Sequence, residues 1–309
     1  MFFGTPEFAV PTLERLLAGP HVVVAVVSQP DRPRGRGRQR SPSPVAERAI
    51  AAGVPLLRPE RVGDPEVASA LRALDPDLGV VVAFGQFLPR SIRELPRLGY
   101  LVNAHASLLP RHRGAAPIAR AILEGDRETG ISVMRVEKEM DAGPVALVRR
   151  MQIGESEDAG SLEARLAGLA ACAIASALDA IAAGTIEWTP QDAAHASFAP
   201  KIEREDARLD FAGSAEGLAR RIRAFAPRPG AFTLLAGEPL RILAARVRAG
   251  AAGEAPGTIR VDPGGRELRI ATGSGWLVPL VLQRAGGRAL EAAEFLRGAR
   301  ALDGIVLPS

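Results

Sequence analysis

Short apolar segments alternate with helical patterns over the first 185 residues of the 309-residue chain. Two of these segments, His21–Ser28 (HVVVAVVS) and Leu78–Phe84 (LGVVVAF), are apolar at nearly every position rather than at every second one. Continuous valine-rich runs are typical of strands that are buried on both faces of a parallel sheet. Because parallel strands are joined by helical crossovers, the alternation predicts a doubly wound α/β domain with right-handed connections.

The same pattern places the other elements of this domain. Further strands are predicted at Tyr100–His105, Gly130–Val136 and Pro144–Met151. Helices are predicted at Thr12–Ala18, Pro44–Ala52, Asp64–Leu74, Pro117–Gly125 and Asp158–Ala183. A first strand would end at the turn Gly4-Thr5-Pro6, and only Met1–Phe3 precede that turn. Since a strand normally has about five or six residues, we expect the natural chain to begin upstream of Met1.

The sequence changes character after residue 186. Periodicity fails around Trp188–Glu205, where Pro190 and Pro200 interrupt the chain, so residues 187–204 are predicted to be a linker. Beyond it, helices are predicted at Ser214–Ala224 and Ala289–Arg297. Five short strands are predicted between them, at Phe232–Leu235, Leu240–Val247, Gly257–Val261, Leu268–Thr272 and Leu277–Gln283. The pattern therefore predicts an α/β domain at 1–186 and a small β-barrel domain at 205–309.

Composition excludes several classes of protein. The single cysteine, Cys172, excludes a disulfide framework and a thiolate metal cluster, and its alanine-rich surroundings predict a small core residue. We expect no membrane-spanning segment, no leader and no membrane partner, hence a cytoplasmic location. The 39 basic and 35 acidic residues give a net charge of +4, and the only lysines are Lys138 and Lys201. A single arginine is therefore weak evidence of a binding site, whereas a cluster is informative.

The densest group of polar residues lies where a predicted strand ends. Asn103 and His105 are two residues apart and share one side of a strand. Ligands of doubly wound sheets bind beyond the carboxyl ends of the strands. An amide beside an imidazole can bind an oxyanion, and the imidazole can transfer a proton. Taken alone, however, the residues favour a structural alternative, a buried histidine with Ser107 as a helix cap.

A carboxylate follows the next predicted strand. Asp141 and Gly143 come after Gly130–Val136, and they are consistent with an ordinary turn. They are equally consistent with a carboxylate that a loop delivers to the same edge as His105, where it would orient the imidazole or accept a proton through water. The four histidines lack the spacing of a metal site, so no metal is expected.

Arginine recurs at every second position of one segment. Arg32, Arg34, Arg36, Arg38 and Arg40 alternate with glycine, proline and glutamine in a predicted loop. This density exceeds the arginine-rich background and favours contact with a phosphate backbone over a solvated loop. A second cluster, Arg220-Arg221-Ile222-Arg223, lies on a predicted helix and is equally consistent with a solvated face.

Segments along nearly the whole chain resemble the methionyl-tRNA formyltransferase family of folate-dependent enzymes. They are FFGTPEFAV at 2–10, QPDRPRGR at 29–36, SPSPV at 41–45, VVVAFGQFLP at 80–89, VNAHASLLPRHRGAAP at 102–117, ETGISVMRVEKEMDAGPV at 128–145, APKIEREDA at 199–207, RAFAPRP at 223–229 and PGTI at 256–259. The combination of N-x-H, SLLP and D-x-G is specific for folate-dependent formyl transfer. The segment APRPGAF departs from the family by lacking an aromatic residue after its first proline.

The resemblance implies a Rossmann-like formyltransferase domain with a parallel-rich sheet and a C-terminal OB-like β-barrel. It implies Asn103, His105 and Asp141 as the catalytic residues and 10-formyltetrahydrofolate as the formyl donor. The implied folate-binding residues are Ser107, Leu108, Leu109 and Pro110. The implied acceptor is methionyl initiator tRNA, with tRNA contacts expected from Arg34, Arg36, Arg38, Arg40 and Lys201. We expect the protein to be a monomer.

Two other functions are consistent with parts of the sequence. A formyltransferase that acts on an amino sugar nucleotide would share the three catalytic residues, although the arginine-rich segment and the barrel argue against it. A non-catalytic RNA-binding protein would need neither His105 nor Asp141. A nicotinamide dehydrogenase is disfavoured because the glycine fingerprint is absent.

Overall fold

The chain folds into two compact units. The computed structural model describes residues 1–34, 39–250, 252–299 and 301–308. The first unit comprises Met1–Pro117, Glu128–Gln152 and Glu163–Ala199, and the second comprises Ile118–Arg127, Ile153–Leu162 and Pro200–Ser309. The boundaries at residues 186 and 205 that the sequence indicates stay a prediction.

The first unit is built on a seven-stranded sheet with an additional two-stranded hairpin. In chain order the strands are β1 Phe2–Gly4, β2 Val26–Val27, β3 Arg32–Arg34, β4 Gln39–Ser41, β5 Leu56–Leu57, β6 Gly79–Val82, β7 Leu101–His105, β8 Glu128–Arg135 and β9 Val145–Gln152. The order in the large sheet is β5-β2-β1-β6-β7-β8-β9, and β3 pairs with β4. The first five strands of this order are parallel, whereas β8 and β9 run antiparallel to their neighbours. The predicted parallel-rich α/β architecture is confirmed.

Helices connect these strands. They are α1 Val10–Leu17, α2 Pro44–Ala51, α3 Pro65–Ala73, α4 Arg90–Arg93, α5 Pro117–Glu124 and α6 Ala159–Ala182. Proline in the first turn helps to start α1, α2 and α3, because that position needs no backbone N–H. The Ser43 hydroxyl caps α2 by accepting a hydrogen bond from the Ala46 N–H. The sequence analysis placed all of these helices except the four-residue α4.

The core of the first unit surrounds the short central strand β1. Phe2 pairs with Val26 on one side and Val80 on the other. Phe3 is fully buried and its ring meets that of Phe84 edge to face, with the ring centroids 5.5 Å apart. A three-residue strand is thus paired on both sides and covered by large apolar side chains. A start of the natural chain upstream of Met1 stays a prediction.

One predicted strand is much shorter than its apolar run. The strand expected over His21–Ser28 is confined to β2, Val26–Val27, and Val22 is 83% exposed. The strand is this short because the neighbouring strands β1 and β5 pair only with these two residues. Hydrophobicity alone does not make the preceding valines part of the sheet.

One expectation about α6 is wrong. By length and composition alone the helix could cross a membrane, a test that core helices of globular proteins also pass. Within the first unit its Leu166, Ala170 and Ile174 are buried, as in a core helix. Cys172 was expected in the core and is exposed, because it lies on the opposite side of the helix.

The second unit contains most of α5 and the first residues of α6, and from residue 200 on its described residues form an antiparallel curled sheet with two further helices. The elements are α7 Ala215–Phe225, β10 Phe232–Leu235, β11 Glu238–Arg248, β12 Ile259–Val261, β13 Leu268–Ala271, β14 Trp276–Arg284, β15 Ala289–Glu291 and α8 Ala292–Arg297. The strand order is β10-β11-β14-β13-β12, with β15 on β14. An OB-like C-terminal domain is thereby confirmed. The predicted helix at Ala289–Arg297 begins as strand β15, since its first three residues pair with Val281–Gln283.

Replacing Phe84 by alanine should destabilise the first unit. The side chain is 2% exposed and packs on Phe3, so its loss leaves a cavity and should cost about 3–5 kcal/mol of unfolding free energy. Phe87→Ala is the matched control because that side chain is 70% exposed, and it should leave stability nearly unchanged. Urea unfolding followed by circular dichroism measures both, and equal effects would contradict the assignment of Phe84 to the core.

Candidate active site

The strand β7 carries two candidate catalytic residues near its carboxyl end. Asn103 pairs with Val81 of β6 on one side and Met134 of β8 on the other. His105 pairs with Ser132 of β8. Side chains alternate along a strand, so Asn103 and His105 share one face of the sheet, as the sequence predicts. His105 is buried and Asn103 is half-buried.

The two ring nitrogens of His105 have different surroundings. The Nε2 atom lies 2.9 Å from the carbonyl oxygen of His112. A carbonyl can only accept a hydrogen bond, so Nε2 carries the proton and donates it. The Nδ1 atom lies 3.5 Å from Oδ2 of Asp141. Nδ1 is therefore the ring nitrogen through which His105 can gain or lose a proton.

Asp141 reaches this histidine across the face of the sheet. Because β8 is antiparallel to β7, its last residue, Arg135, pairs with Val102 near the start of β7. The connection from β8 to β9 thus leaves the sheet far from the carboxyl end of β7 and folds back. The structure brings Asp141 and His105 together, as the functional interpretation of the sequence required. The connection reaches His105 by folding back over the sheet, whereas the sequence suggested a loop that starts at the same edge of the sheet as His105.

The Asp141 carboxylate has one oxygen held by the backbone. The Gly114 N–H donates a hydrogen bond of 2.8 Å to Oδ2, the oxygen that also faces His105. Within the described part of the chain, Oδ1 accepts no hydrogen bond and stays available to a water or an amine. The residue adopts a left-handed conformation with φ of 52°, which aspartate tolerates better than most residues.

A compact turn follows His105. The Ser107 hydroxyl donates to the Arg111 carbonyl at 2.6 Å. The Ser132 hydroxyl donates to the Ser107 carbonyl at 2.8 Å and accepts from the Leu109 N–H at 3.1 Å. Ser107 is fully buried, and it closes this turn instead of capping a helix. Leu108, Leu109 and Pro110 are partly exposed, so they are the part of the predicted folate segment that a ligand can reach.

Sequence reasoning missed Ser132. Its hydroxyl holds the turn from the neighbouring strand, opposite His105. The signal for it is slight, a single serine in the apolar run ISVM at 131–134.

Residues assigned to the linker also contact the site. The Ser197 hydroxyl accepts a hydrogen bond from the His112 N–H, and the Ser197 carbonyl accepts one from the Arg113 N–H. The Ala199 N–H donates a hydrogen bond to the Arg113 carbonyl, and the Ala199 carbonyl accepts one from the Ala116 N–H. The side chain of Gln191 contacts Arg113 and the backbone beside Asp141. Irregular sequence gave no sign of these roles, because they depend on contacts between residues about 80 positions apart.

The described ends of the arginine-rich segment, which was predicted to be a loop, pair as two short strands. The strand β3 pairs with β4 in the register Arg32–Ser41, Pro33–Arg40 and Arg34–Gln39. Arg36 and Arg38 lie outside the described residues. Arg40 is exposed, and Lys201, in the second unit, is exposed with its Nζ 3.4 Å from Glu203.

The arginines of α7 have structural contacts. Arg221 donates a hydrogen bond to the Asp206 carbonyl, and Arg223 donates one of 3.1 Å to the Glu157 carbonyl. Burial lowers the pKa of Arg223, and the positive charge of Arg220 lowers it further. These contacts favour a role of the cluster in holding the second unit together.

The site and fold together match a known class of enzyme. Residues 1–178 match the family described as formyl transferase, and residues 201–300 match its C-terminal domain. A methionyl-tRNA formyltransferase of Methylococcus capsulatus is 48% identical over 304 residues, which cover 98% of this chain and 97% of the relative. One from Pelobacter propionicus is 43% identical over 99% of this chain and 95% of the relative. The chain belongs to the formyl transferase family and, within it, to the methionyl-tRNA formyltransferases.

Solved structures share the fold at low sequence identity. An N-formyltransferase from Helicobacter canadensis, in complex with folinic acid and dTDP-3-aminofucose, is similar with a TM-score of 0.68 and 16% identity, over 92% of this chain and 98% of that chain. HypX from Aquifex aeolicus, in complex with tetrahydrofolic acid, is similar with a TM-score of 0.58 and 19% identity, over 77% of this chain and 42% of that chain. At these identities the similarity concerns the fold alone.

Replacing Gly143 by alanine should disturb the candidate site. A Cβ atom there would lie 2.0 Å from the Arg135 carbonyl oxygen, so the backbone two residues after Asp141 would have to move. We expect a loss of stability of about 1–3 kcal/mol and a large loss of formyl transfer. Gly168→Ala in α6 is the control, since nothing lies within 4 Å of its Cβ position. It should be neutral or stabilise by up to about 1 kcal/mol. Thermal unfolding and an activity assay compare the two, and a fully active Gly143→Ala protein would refute the close approach.

Proposed function

We propose that this protein transfers the formyl group of 10-formyltetrahydrofolate to the α-amino group of methionyl initiator tRNA. The observation that carries the proposal is the 43–48% identity to methionyl-tRNA formyltransferases over nearly the full length of both chains. The match extends through both units and covers 95–98% of each of these relatives. The distance of 3.5 Å between Nδ1 of His105 and Oδ2 of Asp141 supports the same reaction.

The reaction begins with the acceptor amine. An α-amino group has an ordinary pKa of about 8 and attacks only in its neutral form. Asp141 is the base, because its Oδ1 is free to accept a proton through a water while Oδ2 stays on Gly114 and His105. The neutral amine nitrogen forms a bond to the formyl carbon, and the proton that this nitrogen must afterwards lose is the one that Asp141 accepts.

Attack gives a tetrahedral intermediate with a negatively charged oxygen. The Asn103 amide and the protonated Nδ1 of His105 donate hydrogen bonds to this oxygen, and the Asp141 carboxylate stabilises the positive charge on the ring. As the intermediate collapses, the Asp141 carboxylate takes the proton from the acceptor nitrogen through a water and returns it in the same way to N10 of the folate, while the bond from the formyl carbon to N10 breaks. Holding Nε2 on the His112 carbonyl fixes the ring in this orientation.

The folate and the tRNA use different surfaces in this proposal. Leu108, Leu109 and Pro110 contact the folate, and the turn that presents them is held by the buried Ser107. Arg34, Arg36, Arg38 and Arg40 of the hairpin contact the phosphates of the tRNA, and Lys201 adds a charge in the second unit. A monomer without a metal, located in the cytoplasm, stays the expectation from sequence.

Substitution of the catalytic residues tests the reaction. Asp141→Asn and His105→Ala should each lower the rate of formyl transfer by about 10²- to 10⁴-fold, as expected for a lost base or oxyanion donor. Folate and tRNA affinities should stay within about twofold of the unaltered protein, since neither residue is a binding anchor here. The assay measures single-turnover formylation of charged initiator tRNA.

Asp179→Asn is a matched control for this experiment. Asp179 lies 3.7 Å from His21 in an exposed pair on the same unit, so the same chemical change occurs away from the site. Its rate should be unchanged. Near-normal turnover of Asp141→Asn would remove Asp141 from the mechanism. Formylation of an amino sugar nucleotide in place of charged tRNA would overturn the acceptor while leaving the reaction class intact.

The salt dependence of tRNA binding tests the hairpin. Replacing Arg34, Arg36 and Arg38 by alanine should weaken binding and reduce the slope of log affinity against log salt by about 2–3, because fewer counterions are released. Replacing the exposed Arg61, Arg72 and Arg90 changes the net charge equally and should leave the slope nearly unchanged. An unaltered slope in the hairpin variant would mean that these arginines face only solvent.

A further inference from the structure

We propose that Gln191 is a positioning residue that holds the Asp141 carboxylate in place for formyl transfer. The inference rests on the catalytic role proposed above for Asp141. It concerns a residue in the irregular segment after α6 that no sequence pattern singled out.

The side-chain amide of Gln191 is fully used. Its Nε2 donates hydrogen bonds to the carbonyls of Asp141 at 2.8 Å and Gly143 at 2.7 Å. Its Oε1 accepts from Nε of Arg113 at 3.0 Å and from Nη2 at 2.8 Å. A glutamine amide has two donor hydrogens and one oxygen with two lone pairs. All of this capacity is directed at the connection that carries Asp141 and at Arg113.

These bonds complete a ring around the carboxylate. From the Asp141 carbonyl the ring passes through Gln191 to the side chain of Arg113, then along the chain to Gly114. The Gly114 N–H closes it by donating to Oδ2 of Asp141. Arg113 is itself buried, at 9% exposure, which restricts the guanidinium to this arrangement. Gln191 thus fixes the backbone of Asp141 relative to the group that binds its side chain.

Apart from Gln191 and Gly114, the connection is held by an ion pair of 3.7 Å between Arg93 and Glu137 and by a hydrogen bond from the Ala142 N–H to the Glu139 carbonyl. Residues 137–140 are exposed, with Met140 at 72% exposure, so this segment is not packed into the core. Asp141 has the left-handed φ of 52°, which is less favourable than an extended or helical conformation. An unattached segment would relax from it. The distance of 3.5 Å between Asp141 and His105 depends on this conformation.

Gln191 is well placed to act as a fixed point. Two residues earlier, Thr189 exchanges a pair of backbone hydrogen bonds with Val145, of 2.8 and 2.9 Å, at the start of β9. The chain on the other side is held by Ser197 and Ala199 on the segment 112–116. The glutamine therefore extends from a segment that is attached to the sheet at one end and to the site at the other.

A double-mutant cycle separates positioning from mere support of the fold. Gln191→Ala should lower kcat for formyl transfer by about 10- to 100-fold, the loss expected when a reacting group shifts by about 1 Å. The KM values for both substrates should change by less than about twofold. In the Asp141→Asn background the same substitution should cause no further loss, because the group that it positions is already gone.

Gln191→Glu is the second variant, in case alanine impairs folding. Glutamate keeps the size and can still accept from Arg113, but it has no N–H groups for the two carbonyls. It should be as slow as Gln191→Ala while it unfolds at nearly the unaltered temperature. Gln283→Ala is the matched control, since that glutamine also joins an arginine, Arg241, to a backbone carbonyl, that of Gly287, but in the second unit. Its kcat should be unchanged.

The outcomes distinguish the inference from the function on which it rests. If Asp141→Asn is as active as the unaltered protein, the proposed mechanism fails. If Asp141→Asn is slow but both Gln191 variants keep their kcat, Gln191 has no positioning role. The inference is equally overturned if the Gln191 and Asp141 effects multiply, because independent effects would mean that Gln191 supports the fold and not the carboxylate.

Discussion

The hydrogen bond from Nε2 of His105 to the carbonyl of His112 determines what the candidate site can do. It commits one ring nitrogen to the protein and leaves Nδ1 beside Asp141. The carbonyl is available only because the chain turns back after β7, in a turn closed by Ser107 and held from β8 by Ser132. This contact orients the ring of His105 for its part in the proposed mechanism, since the tautomer and the ring plane are both set.

The change of strand direction at β8 shapes the rest of the site. An antiparallel β8 puts Ser132 opposite His105, where it can hold the turn. The same direction sends the connection that bears Asp141 away from the carboxyl end of β7, so this connection must return across the sheet. Its return depends on hydrogen bonds from Gly114 and Gln191 instead of on the ladder of a strand. The geometry that the proposed mechanism needs is thus held by side-chain and loop contacts on a rigid sheet.

The fold by itself does not select the acceptor. The Helicobacter canadensis N-formyltransferase, in complex with folinic acid and dTDP-3-aminofucose, shares the architecture with a TM-score of 0.68 at 16% identity. A shared fold does not determine the substrate, because function depends on the residues of the site. The case for charged tRNA comes from the near full-length match to methionyl-tRNA formyltransferases, together with the arginine-rich hairpin β3–β4.

Local sequence patterns were sufficient to predict most of the helices and strands and to single out the polar side chains of the candidate site. Val-rich runs located β6, the helical pattern at residues 44–52 located α2, and the spacing of Asn103 and His105 placed both on one face. Such features depend on residues a few positions apart. Local patterns could not predict the length of β2, the direction of β8 or the exposure of Cys172. Nor could they predict the contacts of Gln191 with Arg113 and Asp141. Each depends on which distant segment lies alongside, and a backbone N–H or an amide finds its partner only after the chain has packed.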